Sequence, residues 1–194
     1  MNIIQTQIEE AKRILNEGGI VVFPTDTAFG IGCRIDNGAS IERLFRIRQR
    51  PQTQATPVLV ADSEMALKYF TDPSSYVLQF MGTYWPGALT IISDCDTKKV
   101  NTLVRGGGHT IGLRMPNNKT ILSIISGVGV PILGPSANFH GKPTPYFFDA
   151  LDPELLALVD YVVEGTCSVG LASTVVDCSD NPYTILRQGA VVLP

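Results

Sequence analysis

Short apolar runs rich in β-branched residues recur along this chain with stretches of helical periodicity between them, and that alternation limits the fold more than any other feature of the sequence. Ile20-Val21-Val22-Phe23, closed by Pro24, reads as a buried strand opening into a loop. Val58-Leu59-Val60, Leu89-Thr90-Ile91-Ile92, Thr110-Ile111-Gly112-Leu113-Arg114, Val130-Pro131-Ile132-Leu133, Tyr161-Val162-Val163, Thr174-Val175-Val176 and Thr184-Ile185-Leu186 read as further strands. Helical patterns lie near residues 64–70, 75–84, 120–126 and 150–158. Two more helices precede them. Thr6-x-x-Glu9 reads as a capping box before Ile8, Ala11 and Leu15, with Gly18 and Gly19 ending the pattern. Ser40 is placed to cap a second helix in which Ile41, Leu44, Phe45 and Arg48 share one stripe, with Pro51 closing the region. The alternation predicts an α/β or α+β domain built on a mixed sheet.

At 194 residues and 44% hydrophobic content, the chain suits a single domain over residues 1–194. No repeat, low-complexity tract or dividing linker interrupts it. Charged residues make up 17% and the formal net charge is -3, so no global basic field announces nucleic acid. Neither a basic leader nor an apolar run of the roughly 20 residues a membrane span needs is present, and a cytoplasmic protein with no membrane contact is the expectation. Cys33, Cys95, Cys167 and Cys178 are scattered without a Cys-x-x-Cys pair, and only His109 and His140 could join them, so buried or partly buried thiols are expected rather than a metal site.

Three distant segments carry the chemistry: Phe23-Pro24-Thr25-Asp26-Thr27-Ala28-Phe29-Gly30, Arg48-Gln49-Arg50-Pro51, and Gly134-Pro135-Ser136-Ala137-Asn138. Brought together they would gather guanidinium groups, hydroxyls and an amide around a small anion. Arg48 lies on the inward stripe of its helix, where an arginine is costly without an anionic partner; the alternative for Arg48 and Arg50 is a solvated basic helix end shared with Arg43 and Arg46. Arg114 ends an apolar strand, where it clamps a carboxylate or makes a salt bridge. Ser136 and Asn138 follow a strand end, a usual place for ligand sites in open α/β sheets, and they are also turn formers. The hydroxyls of Thr25, Thr27, Ser173 and Thr174 serve either the backbone or a polar substrate. Trp85-Pro86-Gly87 reads as a packed turn. Nucleotide signatures are missing: Gly106-Gly107-Gly108-His109-Thr110 lacks the lysine and hydroxyl of a P-loop, and no Gly-x-Gly-x-x-Gly follows the first strand.

The ordered set of segments resembles the YrdC-like family, in particular its single-domain threonylcarbamoyl-AMP synthases, over nearly the whole chain. The matching stretches are Pro24-Thr25-Asp26-Thr27 with Gly30 and Gly32, Arg48-Gln49-Arg50-Pro51, Trp85 to Thr90, Thr110 to Pro116, Ser136-Ala137-Asn138, Ser173 to Asp177 and Leu186-Arg187-Gln188-Gly189. The family's Lys-x-Arg and Ser-x-Asn signature falls on Arg48, Arg50, Ser136 and Asn138, with arginine in place of the lysine, as in a related branch of ill-defined activity. Phe29 stands where a tyrosine is usual, and the chain ends soon after Arg187, without the extra C-terminal domain of longer relatives.

The resemblance implies an open, twisted mixed sheet with flanking helices around a large concave cavity. It implies a nucleotidyltransferase that makes threonylcarbamoyl-AMP and pyrophosphate from L-threonine, bicarbonate and ATP, for the tRNA processing that installs threonylcarbamoyladenosine through separate transferase proteins. Arg48 and Arg50 would be catalytic. Arg48, Arg50, Thr110, Asn138 and Arg187 would bind ATP, and Thr27, Arg114, Ser136 and Ser173 would bind threonine. Magnesium would enter with ATP, held by phosphate and water without a dedicated metal site in the protein. The competing readings are an RNA-binding YrdC-like module, with the arginines on phosphate backbone, and a serine hydrolase at Ser136, whose Gly-x-Ser-x-Asn setting departs from Gly-x-Ser-x-Gly and has no Asp-His relay.

Overall fold

The structure, a computed structural model, describes residues 3–194. It begins with α1 (Ile3–Asn16), β1 (Val21–Phe23), β2 (Gly30–Gly32), α2 (Gly38–Arg48), β3 (Val58–Leu59), α3 (Ser63–Leu67), α4 (Ser75–Tyr84) and β4 (Leu89–Asp94). Then come α5 (Thr102–Arg105), β5 (Thr110–Arg114), α6 (Lys119–Val128) and β6 (Ile132–Leu133). A 3-10 turn at Phe148–Ala150 precedes α7 (Pro153–Leu156), β7 (Tyr161–Val162), β8 (Thr174–Asp177) and β9 (Thr184–Arg187).

The expected mixed α/β architecture is present, divided between two sheets. One has the order β2-β1-β7 and the other β6-β3-β5-β4-β8-β9. Pairs β1–β7, β3–β5 and β4–β8 are parallel; the remaining neighbours are antiparallel. Period-two alternation in β1 explains how its sheet is covered on both faces. Val21 and Phe23 pack with Ile8, Ala11 and Leu15 of α1 and Ile121, Ile124 and Ile125 of α6. Ile20 and Val22 belong instead to the larger core, with Leu44 and Phe45 of α2, Phe80 of α4, and Leu89, Ile91 and Leu113 of the six-stranded sheet.

Backbone hydrogen bonds stitch the two sheets together. Ile31 N–H donates to Pro135 O (2.9 Å), Leu133 N–H to Cys33 O (2.9 Å), Ile35 N–H to Pro131 O (3.0 Å) and Ala137 N–H to Phe29 O (2.8 Å). This approach requires glycine in β2: a β-carbon on Gly32 would overlap the Leu133 carbonyl, and one on Gly30 would press into the Phe23 ring. The same glycines hide β2 from sequence periodicity, because they leave almost no side-chain pattern to read.

Several boundaries differ from expectation for local reasons. Thr6 lies inside α1, and Glu9 bonds Gln5 (2.9 Å) and Lys12 (2.7 Å) along the helix surface instead of closing a capping box. Asn37 rather than Ser40 caps α2, its Oδ1 accepting from Ser40 N–H at 3.1 Å, while the Ser40 hydroxyl donates to Gly18 O at 2.6 Å. That helix stops at Arg48, where Gln49 adopts the left-handed region (φ 52°) and turns the chain toward Arg50. The pattern over 150–158 resolves into a 3-10 turn and one short helix with Pro153 in its first turn. With four residues, α5 is too short to display a period.

Gly32→Ala should destabilise the protein by more than about 3 kcal/mol in urea unfolding, since the overlapped group is backbone and cannot rotate away.

Candidate functional site

Chain segments from both sheets enclose a cavity of about 190 Å³. Thr25, Thr27 and Phe29 reach it from the β1–β2 loop, Arg48 and Arg50 from the end of α2, Leu59 from β3 and Thr90 from β4. Arg114 enters from the end of β5, Ser136 from the turn after β6, Ser173 from just before β8 and Arg187 from the end of β9. A second lobe of about 220 Å³ shares Pro57, Thr90, Ser173 and Arg187 with the first and adds Thr110. The residues singled out in the sequence therefore converge, with two differences: Thr174 lines neither lobe, its hydroxyl donating to Val191 O (2.5 Å) and accepting from the Gly189 and Val191 N–H groups (3.0 Å each). Asn138 also lines neither lobe.

Asn138 lies behind the wall and holds it. Its side-chain oxygen accepts from Ser136 Oγ (2.6 Å) and from an Arg48 Nη2–H (3.2 Å), its backbone oxygen accepts from Arg48 Nε–H (3.1 Å), and its amide nitrogen donates to Lys142 O (2.6 Å). The Ser136 proton thus goes to an amide oxygen, which is no base. This removes the activation a serine nucleophile needs.

Arg48 is 3% exposed and Nη1 has no hydrogen-bond partner. Burial, with Arg50 nearby, pushes its pKa down to about 10, so it still carries charge at neutral pH. Arg50 is half-buried and tethered to the backbone, Nε–H donating to Gln54 O at 3.2 Å and Nη2–H to Ala55 O; burial lowers its pKa too. Arg187 donates from Nε and Nη2 to Ser173 O (3.0 and 2.8 Å) and from Nη2 to Ser173 Oγ (3.1 Å), and burial again lowers its pKa. Among the described residues no carboxylate pairs with Arg48, Arg50 or Arg187. In a chain of net charge -3, that is a concentrated positive field prepared for an anion.

Arg114 is different. It is 6% exposed and forms a buried ion pair with Asp26, which is 3% exposed. Its Nη1 donates to Thr27 Oγ1 at 2.7 Å and its Nε to Gly87 O at 3.1 Å. Burial lowers its pKa against the opposing pull of Asp26. Of the two roles open to Arg114 in the sequence, the salt bridge is realised, but inside the site rather than on the surface. Three donors are committed and the remaining two N–H groups of its fork are available to a ligand.

Asp26 stood within the quoted motif without a role of its own, and the structure makes it the buried counter-charge of Arg114; its place between Thr25 and Thr27, after a buried strand, was the available signal. Thr25 keeps the loop folded. Its hydroxyl donates to Ala28 O (2.7 Å) and accepts from the Thr27 and Ala28 N–H groups (3.2 Å each), so it serves the backbone while Thr27 serves Arg114. Thr90, read as part of a strand and of a matching stretch, was likewise given no role at the site. Its hydroxyl lies 3.0 Å from that of Ser173, linking the floor to Arg187. Trp85 forms the expected packed turn, its indole N–H donating to Leu89 O at 2.8 Å. The cysteines are free thiols, Cys33, Cys95 and Cys178 buried and Cys167 half-buried. No helix among the described residues is long and apolar enough to cross a membrane.

Fold and site together define a mixed α/β protein with a pocket lined by arginines and hydroxyls. The family model described as "Telomere recombination" matches residues 13–189, and the chain belongs to this Sua5/YciO/YrdC family. It is 33% identical to a threonylcarbamoyl-AMP synthase of Bacillus subtilis over 95% of its own length and 54% of the relative's. It is 30% identical to the uncharacterized protein YciO of Escherichia coli, covering 95% of this chain and 90% of that one. Among solved structures it resembles Pyrococcus abyssi Sua5 complexed with L-threonine, with TM-score 0.90, 28% identity and coverage of 94% of this chain and 54% of the other. It also resembles E. coli YciO, with TM-score 0.84, 27% identity and coverage of 95% and 90%. The chain spans about half the length of the Bacillus subtilis and Pyrococcus abyssi synthases it matches.

Two substitutions test the electrostatics. Asp26→Asn should cost about 3–5 kcal/mol in denaturant unfolding by leaving the buried Arg114 charge without a counter-charge. Arg48→Met should unfold within about 1 kcal/mol of the parent, because it removes a buried charge along with its hydrogen bonds, and it should lose most of the rise in Tm that pyrophosphate gives the parent.

Proposed function

We propose that this protein is an L-threonylcarbamoyladenylate synthase, a nucleotidyltransferase that forms threonylcarbamoyl-AMP and pyrophosphate from L-threonine, bicarbonate and ATP. The observation that carries the proposal is the juxtaposition, in one cavity, of three arginines lacking carboxylate partners with a fourth locked to Asp26. The first group suits a triphosphate. The Arg114–Asp26–Thr27 unit suits an amino acid, and the likeness to a Sua5 structure complexed with L-threonine supports that division.

In this reading the two free N–H groups of Arg114 take the threonine carboxylate, and Thr27, Ser136 and Ser173 orient the rest of the amino acid. The threonine amine adds to carbon dioxide derived from bicarbonate and loses a proton, giving a carbamate. A carbamate oxygen attacks the α-phosphorus of ATP, the bond from that phosphorus to the bridging oxygen breaks, and pyrophosphate leaves with the electron pair. Arg48, Arg50 and Arg187 stabilise negative charge on the phosphoryl oxygens and the leaving group. Thr110 contacts the nucleotide, and Asn138 acts at one remove by holding Arg48 and Ser136. Carbamate and mixed anhydride are both sensitive to water, so a recessed site favours the product.

Magnesium enters as the ATP complex, held by phosphate and water. The carboxylate behind the wall, Asp26, is already engaged by Arg114. The product supplies a group-transfer system acting on tRNA, a setting that fits a cytoplasmic protein. Arginine at position 48 keeps the positive charge of a lysine while adding a planar fork, which here spans both oxygens of Asn138.

Purified protein incubated with ATP, magnesium, labelled bicarbonate and threonine should yield threonylcarbamoyl-AMP and pyrophosphate, identified by mass spectrometry. Arg50→Ala should lower turnover at least about 100-fold with the fold retained by circular dichroism. Salt-sensitive RNA binding without product would favour the RNA-binding reading instead. Absence of both would align the chain with the YciO branch, of which it covers nine-tenths.

A further inference from the structure

Of the four arginines that line the cavity, Arg187 alone is exposed. It belongs to β9, the edge strand of the six-stranded sheet, and all four residues of that strand are exposed, so the hydrophobic core gives it no seat. A long side chain in such a place ordinarily samples many rotamers. Two features restrain this one. A bulge aims it: Val175 pairs with Arg187 and Val176 with Ile185, which leaves Leu186 as the extra residue, and a bulge redirects the side chain beside it. The guanidinium then folds back onto the carbonyl and hydroxyl of Ser173. Its orientation is therefore only as fixed as Ser173 itself.

The next residue, Thr174, is fully buried, and its hydroxyl fills its whole hydrogen-bonding capacity with the chain that follows β9. It donates to Val191 O and accepts from the Gly189 and Val191 N–H groups. Ala190 N–H donates to Ala172 O at 3.0 Å, so residues 189–191 are clasped along residues 172–174. Only glycine permits this approach at 189, where a β-carbon would fall 2.3 Å from Ala172 O and 2.5 Å from Ser173 O. The Ser173 peptide is thus held between the Arg187 guanidinium and the Gly189 backbone. From the exposed side, the Gln188 amide donates to Val191 O (2.7 Å) and Gly189 O (3.2 Å), and Leu193, 7% exposed, anchors the segment in the larger core.

We infer that Thr174 is a positioning residue: by clasping residues 189–191 it fixes the Ser173 carbonyl, and through that carbonyl it holds the Arg187 guanidinium ready for phosphoryl oxygens. This deepens the proposed function and rests on Arg187 meeting the polyphosphate. Thr174 lines neither lobe, so it acts only through its neighbours. Arg187 spends Nε and Nη2 on Ser173, and its Nη1 makes no hydrogen bond to a described residue, which leaves that group for a ligand of the cavity it lines. With the clasp open, an exposed arginine on an edge strand would have to be ordered at the moment of binding, and affinity would fall by that cost. The hydroxyl at 174 therefore contributes to anion binding without touching the anion.

Calorimetric binding of inorganic tripolyphosphate, measured in a double-mutant cycle, tests the inference. Thr174→Val should weaken binding about 5- to 10-fold, because two N–H groups lose their acceptor and the clasp opens. Thr174→Ser keeps the hydroxyl and should stay within about 2-fold of the parent. Arg187→Met should weaken binding about 10-fold or more, and adding Thr174→Val to it should change affinity by less than about 2-fold, since the clasp works through the guanidinium. Leu15→Ala, a core truncation between α1 and α6 that does not line the cavity, provides a destabilised control whose affinity should match the parent's. Should Thr174→Val fail to fold, Gln188→Leu on the exposed side of the clasp serves in its place, with a loss of about 2- to 3-fold in the parent and none in the Arg187→Met background. Parental affinity in the clasp variant, or losses that multiply in the double variant, would overturn the inference. Coupling of the clasp to Arg187 in a protein that makes no threonylcarbamoyl-AMP would defeat the proposed reaction and leave the inference standing. Threonylcarbamoyl-AMP formation by a protein whose clasp variant binds tripolyphosphate normally would do the reverse.

Discussion

The site exists because the backbone after β6 is laid against β2. Four hydrogen bonds between residues 29–35 and 131–137 join the two sheets, and they do so only because Gly32 lets the Leu133 carbonyl come close. One consequence is architectural: two sheets, each with its own hydrophobic contacts, become one framework. Another is chemical. Ser136 is drawn into the cavity that Thr27 also lines, and Asn138 is placed where it receives the Arg48 guanidinium.

On that framework the cavity is organised by charge that the protein leaves partly uncompensated. Arg48, Arg50 and Arg187 are held by carbonyl and amide oxygens rather than by carboxylates. Neutral acceptors fix the geometry of a guanidinium without cancelling its charge, so the field stays available to a ligand. Arg114 illustrates the opposite choice: its pairing with Asp26 neutralises the charge locally and fixes the fork. A tunable positive region and a rigid neutral clamp thus adjoin, a division of labour suited to joining a phosphoryl group to an amino acid. Functional preparation of this kind costs stability, since buried cations without counter-ions oppose folding.

Much of the fold could be read from pattern. β4 and β5 are carried by β-branched residues, α1 and α6 by apolar residues at helical spacing, and α4 matched its expected range over residues 75–84. Errors gathered where pattern is thin. β2 is mostly glycine, α5 has a single turn, and the caps at Asn37 and Gln49 depend on local backbone geometry that several polar residues could supply. The site was legible as a set of polar and cationic residues beside strands. Its internal wiring was not, because pairings such as Arg114 with Asp26 and Arg48 with Asn138 join residues 88 and 90 positions apart.

What the sequence determined by itself is therefore the inventory: alternating strands and helices, an inward-facing Arg48, and hydroxyls at loop positions. These follow from short-range periodicity and side-chain chemistry, which act over a few residues. Tertiary structure alone decided which arginines keep their charge free and which is neutralised, that Asn138 supports the wall rather than forming it, and that the Thr56 hydroxyl is left without a hydrogen-bond partner. Each outcome depends on burial and on which distant oxygen lies within reach of a given donor, quantities that exist only once the two sheets have closed around the cavity.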